Sequence, residues 1–159
     1  MVRSPLHFLR HQAWKSVKRM IHNKFPNAPA ISTTSLAAWL QSGTQPAPIL
    51  LDVRRPEEFA VSHLPHAYYT PNLDSVRAMD LSLDTPLVVY CSVGYRSARL
   101  VEQLRAAGFT QAVNLEGSIF QWANEGRAIV QAGQPAKFVH PYNWLWGLLL
   151  NGDIRGRSS

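Results

Sequence analysis

An α/β fold built on a mostly parallel central sheet is predicted by two features of the sequence. Short apolar runs rich in branched residues recur at 49–53, 87–90 and 112–115, as buried parallel strands require. Between the second and third runs, Ala98, Val101, Leu104 and Ala107 fall on one face of a helix over 97–107, and Gly108 stands where a C-terminal cap belongs. Strands alternating with helices at this interval form βαβ units. A chain of 159 residues suits one domain that buries roughly two thirds of its unfolded surface.

The remaining elements follow in chain order. From Leu6 to Phe25, apolar Leu6, Leu9, Ala13, Val17, Met20 and Ile21 recur every three or four residues, so a helix with one apolar and one basic face is expected. Asn23 to Pro29 holds two prolines and reads as a linker. Ile31 and Ser32 predict a short strand leading into a capped helix over 34–41, broken by residues 43–48. After the third strand a helix over 118–125 closes at Gly126, and 128–130 predicts a terminal strand or extended segment. The tail over 138–150 is apolar and aromatic but far short of the roughly 20 residues that cross a bilayer. This divides the chain into a basic helix with its linker (1–29), an α/β domain (30–131) and an aromatic extension (132–159).

The net charge of +6 is confined to one end. Residues 1–51 carry Arg3, Arg10, Lys15, Lys18, Arg19 and Lys24 and no acid, whereas the rest balances ten basic against ten acidic residues. A cationic arm on a neutral domain describes the arm's partners and not the fold. Docking on the domain, contact with anionic lipid, an RNA or protein contact, and an organelle transit peptide all fit residues 1–25. No apolar core of a secretory signal follows the early charges. The aromatic tail fits packing against the domain or an interfacial anchor, and with the basic helix it would supply the two signals that peripheral membrane attachment needs.

One cysteine excludes an internal disulfide and allows a reducing, cytoplasmic setting. Six histidines and one cysteine lack metal-ligand spacing, and neither a phosphate-binding glycine loop nor a dinucleotide fingerprint is present, so no cofactor, metal or specific nucleic acid is expected. Cys91 is read either as a small buried hydrophobe or as a nucleophile. Its place favours the second: it ends the 87–90 strand, where α/β sheets bind ligands, and opens the loop Ser92, Val93, Gly94, Tyr95, Arg96 and Ser97 into a helix. Amides at a helix start, with Arg96 and Arg99 nearby, favour a thiolate, and Gly94 lets the loop curl.

Four ordered motifs then carry a resemblance. Leu50-Leu51-Asp52-Val53-Arg54-Arg55-Pro56-Glu57-Glu58-Phe59, His63-Leu64-Pro65-His66-Ala67, Cys91-Ser92-Val93-Gly94-Tyr95-Arg96-Ser97 and Asn114-Leu115-Glu116-Gly117-Ser118 with Trp122 and Gly126 resemble the rhodanese-like family of single-domain sulfurtransferases. His66 and Ser118 stand where that family commonly has glycine, which bears on turn geometry. The resemblance implies a three-layer fold and an enzyme in which Cys91 takes sulfane sulfur from thiosulfate or a persulfide, holds it as Cys–S–SH cradled by the amides of Ser92 to Ser97, and passes it to a thiol, protein or cyanide acceptor. It also implies that Asp52 and Arg54 pair to support the scaffold, with Glu57 in the same polar set, while His63 is a turn histidine bonded to backbone. Phosphatases of related fold place five residues between Cys and Arg against four here, which disfavours phosphatase or arsenate reductase activity. A rhodanese-like docking module at a membrane surface is the competing reading.

Overall fold

The computed structural model describes residues 5–157; residues 1–4, which include Arg3 of the cationic arm, and residues 158–159 lie outside it. Helix α1 spans Pro5–Lys24, followed by β1 (Ala30–Ile31) and α2 (Thr33–Ser42). Ser32 caps α2 by accepting the Ser35 amide at 3.0 Å, and Gly43 ends it with φ 66°. Then come β2 (Ile49–Asp52), α3 (Pro56–Val61), β3 (Tyr68–Tyr69), α4 (Leu73–Arg77), β4 (Leu87–Tyr90), α5 (Tyr95–Ala106), β5 (Ala112–Leu115) and α6 (Ser118–Asn124). A small hairpin, β6 (Val130–Gln131) with β7 (Gln134–Pro135), and a 3-10 turn at Trp146–Leu149 complete the chain.

The five-stranded sheet runs β1-β5-β4-β2-β3 with every pairing parallel, and helices flank it. Leu87, Val88, Val89 and Tyr90 have no exposed surface, which is why that strand is apolar at every position and does not alternate. Parallel order brings the carboxyl ends of β2, β4 and β5 to one edge of the sheet. That edge carries Asp52, Cys91 and the loop into α6.

Two expectations change and one open alternative is decided. Helix α5 begins at Tyr95, two residues before Ser97, because Gly94 at φ 114° already turns the chain into it. Of the two alternatives for 128–130 the structure has the extended segment, with Val130 alone entering β6, which pairs with β7 outside the central sheet apart from a bridge from Val130 to His63. On α1 the buried stripe is rotated from the predicted one. Val17 and Ile21 of that stripe do meet the core, joined by Trp14, whereas Leu6, Leu9 and Met20 are exposed. Trp14 decides the rotation, since its ring offers more area to bury than Leu9 or Ala13. The stripe continues through Phe25 and Ala28, so the proline-containing segment after α1 is anchored, not a free linker. No helix of the described residues is long and apolar enough to cross a membrane.

Candidate active site

Cys91 lies one residue past β4, at the bottom of a loop that wraps around its own sulfur. Its Sγ accepts the Gly94 N–H at 3.1 Å and the Ser97 hydroxyl at 3.4 Å. The residue is 1 % exposed, yet it does not point into the apolar core: it lines a hollow of about 110 Å³ together with Ser92, Val93, Tyr95, Arg96, Tyr142 and Trp146. The loop keeps this curl because its carbonyls are held from behind. The amides of Ile119 and Phe120, in α6, donate to the carbonyls of Cys91 and Ser92 at 3.2 and 3.1 Å, and Asn114 Nδ2 donates to the Gly94 carbonyl at 3.1 Å. With carbonyls drawn outward, amides face the sulfur, and α5 starts beside it with its positive end.

Burial pushes the Cys91 thiol up, but the Arg96 charge, the hydroxyl and backbone of Ser97 and the Gly94 amide outweigh it and hold the thiol below its ordinary value. Arg96 does not stand free over the hollow. Its Nη1 and Nη2 donate to Glu58 at 2.8 and 2.9 Å, and Nη2 also donates to Ser92 Oγ at 2.9 Å. Glu58 further accepts the Ser92 hydroxyl at 3.0 Å and the Arg55 amide at 2.8 Å. Burial alone would raise this carboxyl; the Arg96 fork and the Arg55 amide bring it down to about 2.

The acid of this polar set is therefore Glu58, not Glu57, which is exposed on the outer face of α3. Pro56 sets the helix start and places Glu58 at the third helical position, aimed back at the Arg55 amide as in a capping box. The sequence reading missed Glu58, although a proline followed two residues later by an acid is a signal that could have found it. Asp52 and Arg54 pair at 2.7 Å with both side chains fully buried, and Arg54 also donates to the Ser62 carbonyl at 2.6 Å; neither lines the hollow. Arg99 is exposed, with its guanidinium 5.6 Å from the Tyr95 ring centre, and is likewise absent from the hollow. His63 Nδ1 meets the Phe59 carbonyl at 3.0 Å while its ring stacks on Phe59.

The two positions that depart from the resemblance's glycines both have left-handed backbone, φ 62° at His66 and φ 48° at Ser118, the conformation that glycine adopts without strain. Ser118 gains something for it: its hydroxyl accepts the Cys91 amide at 3.1 Å and donates to the Leu115 carbonyl at 2.9 Å. Tyr142 and Trp146, on the aromatic tail, are the residues at the hollow that sequence reasoning did not place there. Among the described residues no group of three or more His, Cys, Asp or Glu side chains could hold a metal. A larger groove of about 370 Å³ between α1 and α6 is lined by Arg10, Trp14, Lys15 and Asn124 but holds no cysteine, serine or threonine.

The profile of the rhodanese-like domain matches residues 32–125. This chain belongs to the rhodanese-like domain family. It is similar to a sulfurtransferase of Allochromatium vinosum, 35% identical over 83 residues that make up 52% of this chain and 78% of that protein. It is also similar to the protein named "Probable adenylyltransferase/sulfurtransferase MoeZ" of Mycobacterium tuberculosis, 37% identical over 98 residues, 60% of this chain. The alignment spans only 24% of that much longer protein. A rhodanese-like domain protein from Staphylococcus aureus has the same fold, with TM-score 0.55 and 31% identity over 65% of this chain and 97% of that one. The rhodanese-like match ends before the tail that carries Tyr142 and Trp146.

Proposed function

We propose that this rhodanese-like domain is a sulfurtransferase that carries sulfane sulfur on Cys91. The observation that supports this best is the Cys91 sulfur at the floor of an amide-lined hollow, accepting Gly94 N–H and Ser97 O–H. In the first step the Cys91 thiolate attacks the outer sulfur of the donor. With thiosulfate, the donor's S–S bond breaks, sulfite leaves with the bonding pair, and Cys91 keeps S–S⁻. In the second step an acceptor thiolate or cyanide attacks that outer sulfur and the Cys91 thiolate returns. No general base is needed where the thiolate exists beforehand, and the preorganised donors of Ser92 to Ser97 stabilise the charge as it moves to the outer sulfur. Because Cys91 is the sole cysteine, the second step uses an external small thiol or protein. Asp52–Arg54 supports the strand edge, and residues 30–131 carry the chemistry, flanked by the basic helix and the aromatic extension.

A peripheral contact with an anionic membrane surface, at the cytoplasmic face, belongs to the same reading. Leu6, Phe8 and Leu9 on α1 and Trp144, Leu145 and Leu148 in the tail are exposed, and α1 touches the 3-10 turn. Such apolar side chains beside Arg and Lys favour a lipid headgroup layer. The same surface would serve a docking module without catalysis, and one experiment separates the two. Incubation with thiosulfate or a persulfide adds about 32 Da, one sulfur atom, to Cys91 in the mass spectrum, and Cys91→Ser abolishes both the adduct and sulfur transfer. Intact Cys91 that alkylates normally but gains no mass from any sulfane donor would leave the docking module as the function.

A further inference from the structure

The hollow over Cys91 has two walls of different origin. One is the loop itself; the other is the aromatic tail, whose Tyr142 and Trp146 close the side that the loop leaves open. Tyr142 does more than fill space. Its ring centre is 4.8 Å from the Arg96 guanidinium and 5.0 Å from that of Arg55, distances at which the ring face attracts positive charge. Its backbone is pinned at φ 66°, and its N–H donates to His140 Nδ1 at 3.0 Å. The tail behind it is fastened to the domain: Val139 accepts from Gly156 and donates to Ile154, each at 2.8 Å, and Leu149 and Leu150 are buried.

The one cation that lines the hollow among the described residues, Arg96, is thus already engaged. Arg96 spends its fork on Glu58 and Ser92, and the Tyr142 ring lies against its guanidinium; Arg55 is exposed and does not line the hollow. What remains toward the opening is aromatic: Tyr95, Tyr142 and Trp146, with Val93. A sulfonate group brought against these rings would lose hydration without gaining a free guanidinium, and unpaired buried charge is costly. A carbon chain in the same place gains by leaving water. The loop amides suffice for one sulfur anion at the floor.

We propose that Tyr142 and Trp146 are specificity-determining residues that fit this site to an organic persulfide, R–S–SH, in preference to thiosulfate. This rests on the sulfurtransferase reading above. The Cys91 thiolate attacks the outer sulfur of R–S–SH, the donor's S–S bond breaks, R–S⁻ leaves with the bonding pair, and the proton stays on the transferred sulfur to give Cys91–S–SH. No outside oxidant or reductant is consumed. The chain R packs on Trp146 and Tyr142 as it enters.

The test compares donors on one preparation of the full chain. Glutathione persulfide, a persulfide on an unstructured peptide and thiosulfate are each assayed for kcat/KM in loading Cys91, with wild type, Trp146→Ala, Trp146→Phe and Tyr142→Leu. Wild type is expected to prefer an organic persulfide over thiosulfate by at least about tenfold, the value of one well-buried apolar contact. Trp146→Ala lowers that preference about tenfold through the KM of the persulfide, Trp146→Phe restores most of it, and Tyr142→Leu, which uncovers Arg96, raises kcat/KM for thiosulfate about threefold or more. A defect of folding lowers all donors alike and leaves the ratio untouched. Preference for the peptide over glutathione assigns the donor to a protein cysteine, and the reverse assigns it to a small thiol. Cys91 loading equally well from thiosulfate, with a ratio that neither variant moves, overturns the specificity proposal while leaving the sulfurtransferase standing. Failure of every donor to load Cys91 refutes the sulfurtransferase reading instead.

Discussion

Glu58 governs the electrostatics of the site although it never faces the hollow. Its two oxygens take four hydrogen bonds, from the Arg55 amide, the Ser92 hydroxyl and both terminal nitrogens of Arg96. Glu58→Gln keeps the shape but leaves the Arg96 charge without its counterion and turns one acceptor into a donor that faces another donor. We expect a loss of about 2–4 kcal/mol in urea unfolding and a marked fall in Cys91 loading as the loop loosens. A variant within about 0.5 kcal/mol of wild type would show that the pair contributes little. The pH dependence has a definite sign. Because the folded carboxyl lies at about 2, below the ordinary range, its contribution is complete above the unfolded pKa of about 4.3 and is lost as pH falls from there toward 2. Urea midpoints between pH 5 and pH 2.5 should decline in wild type and less steeply in Glu58→Gln. Part of this was legible beforehand: Cys91, its loop and the helix behind it follow from a strand running into a Gly- and Arg-bearing turn. The choice between Glu57 and Glu58 needed the phase of α3, which one proline sets, and the Ser118 hydroxyl on the Cys91 amide needed a contact 27 residues away in sequence.

The elements that flank the matched family region are packed more firmly than sequence periodicity implied. Ile21 is 6 % exposed and its Cδ1, 3.7 Å away, is among the atoms that a side chain at position 94 would meet, after Asn114 Nδ2 at 3.4 Å. Phe25 stands edge-on to Tyr95 with ring centres 5.0 Å apart. Helix α1 thus braces the back of the Cys91 loop. Removing residues 1–25 would take this brace with it, so a single core substitution is the cleaner probe. Ile21→Ala should cost about 2–4 kcal/mol and lower sulfur transfer together with thermal stability. Unchanged melting would mean that the helix merely rests on the domain. The strands of the central sheet were readable because buried parallel strands are apolar throughout; β3, with Tyr68 and Tyr69 both exposed, and the short α3 and α4 were not, since edge strands and one-turn helices have too few residues to set a period. The helix stripe was misplaced because Leu6 and Leu9 satisfy the period as well as Trp14 does. Only the domain's surface decides between them.

Across the molecule, the excess positive charge and exposed apolar side chains gather on the same arm. The six cations without acids in residues 1–51 sit on an arm whose exposed Leu6, Phe8 and Leu9 are not used by the core, while the sheet edge with Cys91 lies under α1 and the tail. A surface of this kind should bind vesicles containing phosphatidylserine in a cosedimentation assay, weaken as salt is raised past the Debye regime of about 0.1 M, and release when Phe8→Glu and Leu145→Glu are combined. Sulfur transfer in solution should be unaffected by that pair, since neither side chain lines the hollow. Vesicle binding that persists in the double variant would place the contact elsewhere. Sequence composition revealed the charge segregation directly, whereas the meeting of the tail with the Cys91 hollow is a tertiary fact that no local pattern encodes.

All of this chemistry requires Cys91 to be ionised in the free protein. With a single cysteine, the ultraviolet absorbance of its thiolate can be titrated without interference from a second thiol, using Cys91→Ser as the blank. We expect an apparent pKa below the value of about 8.5 found for an unperturbed thiol. A thiol that stays protonated up to or beyond that value would contradict the account, because the turn of amides and the Arg96 charge would then have failed to favour the anion they surround.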